Sequence, residues 1–301
     1  MVKHAKIAKS APSQLAKADP HSPALIATAR DAIAVKAGTI FDGHTFAVDT
    51  PVDAPTGGYI AGADYVVVAP GGKLAALKIA EIPDDPEIVG GFHFAPGGNA
   101  AARAGGDDGP AVNPFSLWDV RFRPSCPDPR GMTLVKGLAG NFWCDIYLTG
   151  VKHPVDGTSK FGAKIADGAD CPLGPNGKPY KKFDYATAVE VMESHGKRLL
   201  SIDEFFAAAF GVAEKSAASR DPKITGLDAP RTSRFGLMQA TGNLWVWGHD
   251  GDPDEPRASL FGGSWLYDDS AGSRCANVGY WPDNSDDNIG ARGRSDHLQP
   301  V

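Results

Sequence analysis

The sequence predicts an α+β fold of short strands, two compact helices and long irregular loops. Three observations predict it. Glycine and proline, 36 and 24 of 301 residues, punctuate the backbone too often for a helical bundle. Two helix starts in mid-chain carry their own capping residues. From Gly236 onward any helical period is lost, and short apolar pieces alternate with Gly, Asn, Asp and Ser.

In chain order, residues 1–22 read as a disordered or loosely helical tail in which Lys3, Lys6 and Lys9 are solvated charges. A small β-rich region follows over 23–110. At its head, Pro23 to Lys36 is alanine-rich with an apolar spacing that predicts one helix. Ile40 to Phe46 reads as a hairpin, because Asp42-Gly43 suits the positive φ angles of a type I′ turn. Tyr65 to Val68 and Leu74 to Ile79 flank Pro70-Gly71-Gly72 as a second hairpin. The Gly/Ala/Asp-rich stretch Ala95 to Pro110 lacks periodicity and marks the expected boundary, with one domain over 111–301 beyond it.

In that second domain Trp118 to Phe122 and Phe142 to Leu148 read as buried strands. Asp184 is placed as the N-cap of a helix over Tyr185 to Ser194, and Gly196 as its left-handed terminator. Ser201 and Glu204 form a capping box that opens a helix through about Phe210.

Composition excludes several function classes. A net charge of -6 offers nothing to nucleic acid. The longest apolar run, Phe205 to Val212, is far short of a membrane span, and no apolar core of a secretory signal follows the first lysines before Pro12. Cys126, Cys144, Cys171 and Cys275 lie far apart and are expected as buried free thiols. Asp250, Asp252 and Asp254 begin like a calcium loop, but Glu255 and Phe261 occupy the positions that need Gly and Glu. An acidic solvated loop is expected there, with no metal or cofactor assigned and calcium binding left open. His195 sits at a helix end, where the dipole favours a cation.

A family becomes visible in the second half. Gly196 to Phe205, then Gly242-Asn243-Leu244-Trp245-Val246-Trp247, Gly262-Gly263-Ser264-Trp265 and Ile289-Gly290-Ala291-Arg292-Gly293 resemble, in that order, the motifs of formylglycine-generating-enzyme-like domains. The resemblance implies a C-type-lectin-like fold. Trp245, Trp247 and Trp265 alternate within these runs and are expected in the core rather than as a sugar platform. Within that group the tail 271–298, with Gly90 to Gly98 and Pro127 to Met132 upstream, resembles the variable proteins of diversity-generating retroelements, including phage tropism determinants. The resemblance covers roughly residues 90 to 301.

That branch implies a hypervariable ligand- or receptor-binding protein, displayed on a phage tail or a cell surface, with a variable region at about 262–297. A virion-associated or cytoplasmic location follows, with a protein or glycan on a target surface as partner and a homo-oligomer left open. The expected binding face is Leu266, Tyr267, Asp268, Asp269, Asn277, Val278, Gly279, Tyr280, Asp283, Asn284, Asp286 and Asp287. Each of these residue types arises from an AAC codon by changing only adenines. Trp281 does not, and is expected with the scaffold or on a different template codon. Tyr with small polar residues on loops over a rigid core is paratope-like chemistry.

The alternative is an oxidase or metal-dependent enzyme of the same fold group. The resemblance assigns the oxidase a close pair of cysteines, whereas only Cys275 stands near the Gly-Gly-Ser run, and a lone thiolate does not give two-sulfur coordination. The eight histidines show no clustering in sequence. No catalytic residue is assigned.

Overall fold

The structure is a computed structural model that describes residues 14–82, 87–100, 105–138, 140–251 and 258–298. The first strands are β1 (Leu15–Ala16), β2 (Leu25–Ala29), β3 (Ala32–Val35), β4 (Thr39–Phe41), β5 (His44–Phe46) and β6 (Thr50–Pro51). They form two three-stranded sheets, β1-β4-β5 and β2-β3-β6. The expected hairpin at Asp42-Gly43 is present, with φ of 46° and 83°. The helix expected over Pro23 to Lys36 is not: β2 and β3 pair antiparallel instead. Alanine adds helix propensity but little apolar surface, while Leu25, Ile33 and Val35 reach the core at strand spacing. Part of the 1–22 tail is also ordered, since Leu15 is buried and paired with Phe41; residues 1–13 lie outside the described residues.

Strands β7 (Ala63–Val68), β8 (Ala75–Lys78), β9 (Ile88–Ala95), β10 (Ala111–Val112) and β11 (Trp118–Asp119) build one larger sheet, in which β10, β11 and β7 all pair with β9. Tyr65 and Val67 point into the core shared with the N-terminal sheets. Val66 and Val68 point the other way, onto Trp143, Met132 and Trp118. The sheet is therefore a middle layer, buried on both faces. It continues to Asp119, past the boundary expected at 95–110.

Gly90 and Gly91 allow that sheet to close. A Cβ on Gly90 would sit 2.1 Å from the Trp118 carbonyl oxygen, and one on Gly91 2.5 Å from that of Tyr65. Gly90→Ala is expected to push β11 off β9 and cost about 2 kcal/mol, the range of core overpacking. A urea midpoint within error of the parent would show that the strand moves freely.

The rest of the chain holds β12 (Met132–Gly137), β13 (Gly140–Asp145), β14 (Trp245–Gly248), β15 (Ser259–Phe261), β16 (Ala276–Asn277), β17 (Ile289–Gly290) and β18 (Arg294–Asp296). Between β13 and β14 lie α1 (His153–Asp156), α2 (Tyr185–Glu193) and α3 (Ile202–Ala208). Both caps form as expected. Asp184 accepts from the Thr187 amide at 3.0 Å, Gly196 has φ of 66°, and Ser201 and Glu204 make the reciprocal capping box. Strand β18 brings the C-terminal end of the described chain back beside β13, and β16-β15-β14-β17 form the sheet under the tail.

Candidate ligand-binding face

The tail is held from beneath by one buried cation. Arg292 is fully buried between β17 and β18. One of its terminal nitrogens donates to the carbonyls of Asp145 and Ile146 at 2.7 and 2.5 Å, the other to those of Met238 and Gln239 at 2.7 and 3.3 Å. Beside it the Asp145 carboxylate accepts from Lys197 Nζ at 2.6 Å and from the Gly293 amide at 3.0 Å. The motif 290–293 thus ties the tail to the end of β13 and to residues 238–239.

The second anchor is the Gly262-Gly263 pair, both in the left-handed region. A Cβ on Gly263 would lie 2.8 Å from Ala271 Cα, so the loop that leaves at Ser264 and returns at Ala271 closes only over glycine. Trp265 donates its amide to Asn243, and Asn288 Nδ2 reaches Ser264 Oγ at 3.3 Å. These contacts draw the motifs at 242–247, 262–265 and 288–293 into one framework.

Strand β14 decides what this framework presents. Val246 and its partner Phe261 point into the main core with Leu237 and Leu244. Trp247, Leu260 and Ile289 point to the opposite side. On that side two tyrosines stand over two tryptophans: Tyr267 against Trp245 at 5.7 Å and Tyr280 against Trp247 at 5.9 Å between ring centroids. Asn277 pairs with Leu260, which pairs with Trp247, so all three share this face. Trp247 is core, as expected, and its indole donates to the Phe183 carbonyl at 3.1 Å. Trp245 and Trp265 are only half-buried. Trp245 is the floor on which Tyr267 stands.

Of the twelve residues expected on the face, Leu266, Tyr267, Asp269, Asn277, Val278, Gly279, Asp283, Asp286 and Asp287 are exposed. Asn284 and Tyr280 are half-buried. The Tyr280 hydroxyl donates to Asp286 at 3.0 Å, and burial, with Asp286 alongside, holds its pKa above the usual phenol value. Asp268 lies in a 3-10 turn over Asp268–Ser270; its side chain is outside the described set. Trp281, expected with the scaffold or on a different template codon, stands out in this region. It is 75% exposed, more than Leu266 at 53% or Tyr267 and Val278 at 47%. The codon rule excludes tryptophan from adenine substitution at AAC, but codons carry no information about burial. An invariant scaffold position and an exposed contact position are compatible.

Elsewhere the candidate chemistry resolves into structure. All four cysteines are free: Cys126 and Cys144 are buried, Cys171 and Cys275 half-buried. Burial pushes the Cys275 thiol up, away from reactivity. Asp250 caps α3 by accepting from the Ile202 amide at 2.7 Å; Asp252, Asp254 and Glu255 lie outside the described residues. Among the described residues no three His, Cys, Asp or Glu side chains gather to hold a metal, and no helix is long and apolar enough to cross a membrane. A cleft of about 710 Å3 opens beside Asp64, Lys160 and His195. Several of its polar groups are engaged locally: Asp64 is 3.0 Å from His93 Nδ1, and Lys160 and Lys197 form ion pairs with Asp156 and Asp145.

Two histidines that the sequence keeps 42 positions apart meet beside that cleft. His153 Nε2 faces the Leu173 carbonyl at 2.8 Å and must donate, so its Nδ1 accepts from His195 Nε2 at 2.9 Å. Burial first, then Lys197 and His153, lowers His195 to a pKa of about 4, and burial lowers His153 as well. The ring is therefore neutral, and the charged helix-end reading of His195 is corrected. Because the folded-state pKa lies below the unfolded value near 6.5, the pair stabilises fully above pH 6.5 and progressively less down to pH 4. The loss is expected to reach about 3 kcal/mol at most. Glu204 titrates separately: against burial, hydrogen bonds from Arg294 and Arg198 bring it to about 2, so its contribution is lost only below about 4.5. Urea midpoints at neutral and mildly acidic pH, with His195→Asn as control, check this. A slope that persists in the variant would assign it to other groups.

With this geometry in hand, known proteins are informative. A family model described as the Mtd second domain matches residues 23–119. The tail fiber receptor-binding protein of Bordetella phage BPP-1 is 39% identical over 325 residues, covering 94% of this chain and 84% of the relative. The solved U1 variant of the Major Tropism Determinant superposes with a TM-score of 0.88 at 39% identity, over 94% of this chain and 86% of that one. The I1 variant does so with 0.87 at 39% identity, over 95% and 86%. These are C-type-lectin-like structures, the fold the tail motifs imply. The chain belongs to the major tropism determinant family.

Proposed function

We propose that this chain is a virion-associated receptor-binding protein whose face over about 262–297 contacts a protein or glycan on the target surface and is diversified by a retroelement. The observation that carries the reading is the 39% identity, over nearly the whole chain, to a protein described as a tail fiber receptor-binding protein. Supporting it, the expected variable positions are mostly exposed and stand on a framework fixed by Arg292 and the Gly262-Gly263 turn. The protein acts by binding and not by catalysis. The division into a β-rich region and a lectin-like domain belongs to the same proposal, the first carrying the second.

Sequencing the DNA around the coding region tests the diversification. An imperfect repeat of codons 262–297, differing at adenines, with a reverse-transcriptase gene nearby is expected. Its absence would leave a binding face of constant sequence. Binding of the purified chain to target cells, competed by the chain itself and lost in Tyr267→Ala, tests the receptor role.

A further inference from the structure

The exposed side of the tail combines apolar and acidic side chains. Leu266, Tyr267, Val278 and Trp281 are the apolar ones, all more than two-fifths exposed. Asp269, Asp283, Asp286 and Asp287 are the acidic ones, all exposed. Among the described residues none of these four carboxylates is in an ion pair, whereas Asp107, Asp128, Asp156 and Asp170 elsewhere each have a basic partner. Arg274 is the one exposed cation among the described residues of 262–298, and its guanidinium lies over the Phe206 ring. Lys182, just before α2, donates to the Asp283 main-chain carbonyl at 3.2 Å and is in no ion pair with these four carboxylates among the described residues.

We propose that the partner of this face is a cationic protein segment, a loop or strand rich in Lys and Arg. The inference rests on the receptor-binding reading above and names the chemistry of its ligand. Exposed carboxylates without ion-pair partners repel one another in the free protein, and that repulsion is relieved when a cation docks. The exposed rings of Tyr267 and Trp281 offer π faces to an ammonium or guanidinium, and the aliphatic stems of Lys and Arg match the exposed apolar side chains. An anionic surface polymer, such as a phosphorylated or sulfated glycan, is repelled by the same carboxylates.

The test pans a bacterially displayed library of random dodecapeptides against the full chain, in parallel with Trp281→Ala and with the triple variant Asp283→Asn, Asp286→Asn, Asp287→Asn. A phosphorylated-glycan array is probed alongside. Asn at 286 keeps an acceptor for the Tyr280 hydroxyl, and circular dichroism checks folding of both variants. Enriched peptides are expected to be Lys- and Arg-rich, to bind about tenfold or more weakly to the triple Asn variant, and to weaken in high salt. Peptides that need Trp281 but are neutral or acidic overturn the cationic partner while leaving the face intact, as does Trp281-dependent binding to the anionic glycans. Peptides indifferent both to Trp281→Ala and to the triple Asn variant overturn the binding-face reading itself. An empty selection overturns the cationic segment, since a charged face of this kind should recover one.

Discussion

Arg292→Ala is expected to remove about 4 kcal/mol of stability, and with it roughly 10 °C of melting temperature. The effect is large because the substitution strands more than it deletes. The main-chain carbonyls at 145–146 and 238–239 lose the Arg292 guanidinium at once, in a region without access to water, while that of Ile146 keeps the Met238 amide at 2.8 Å. A cavity the size of the side chain remains, since Arg292 is fully buried. Arg292→Lys should recover only part of the loss, because one ammonium does not span two pairs of carbonyls as a planar guanidinium does. Chemical denaturation of the three proteins checks the order. A loss below about 1 kcal/mol for alanine would mean that the tail is held mainly by β18 and the Gly262-Gly263 turn.

The face should behave in the opposite way. Tyr267→Ala and Trp281→Ala are expected to shift stability by within about 1 kcal/mol and to weaken binding of any selected ligand by tenfold or more, because a few aromatic anchors carry most interface energy. Tyr280 is a different case despite its place among the expected variable positions. Half-buried against Trp247 and bonded to Asp286, it belongs to the framework as well as to the face. Tyr280→Ala should therefore cost about 1–2 kcal/mol as well as binding. Paired thermal melts and affinity measurements separate the three. Equal destabilisation by Tyr267→Ala and Arg292→Ala would show that the tail is ordinary core and not a presented surface.

Local chemistry and motif order carried much of this structure in the sequence alone. The Asp42-Gly43 turn, the Asp184 cap and the Ser201–Glu204 box each need only neighbours within a few residues, so their geometry follows wherever those residues occur. The order of the Gly- and Trp-containing runs from 196 to 293 was enough to identify the lectin-like fold, and the adenine-compatible residue types pointed to most of the exposed face. What the sequence left undecided depends on partners distant in the chain. The alanine-rich 23–36 stretch has no local reason to prefer strand over helix; pairing of Val35 with Leu25, and burial of both in the N-terminal core, decided it. His153 and His195 become a pair only after α2 and the 173 carbonyl are in place. Trp281 and Tyr280, adjacent in sequence, differ because one ring finds Trp247 beneath it and the other finds solvent. Burial is a property of the assembled surface, and tertiary packing alone divides the tail into framework and face.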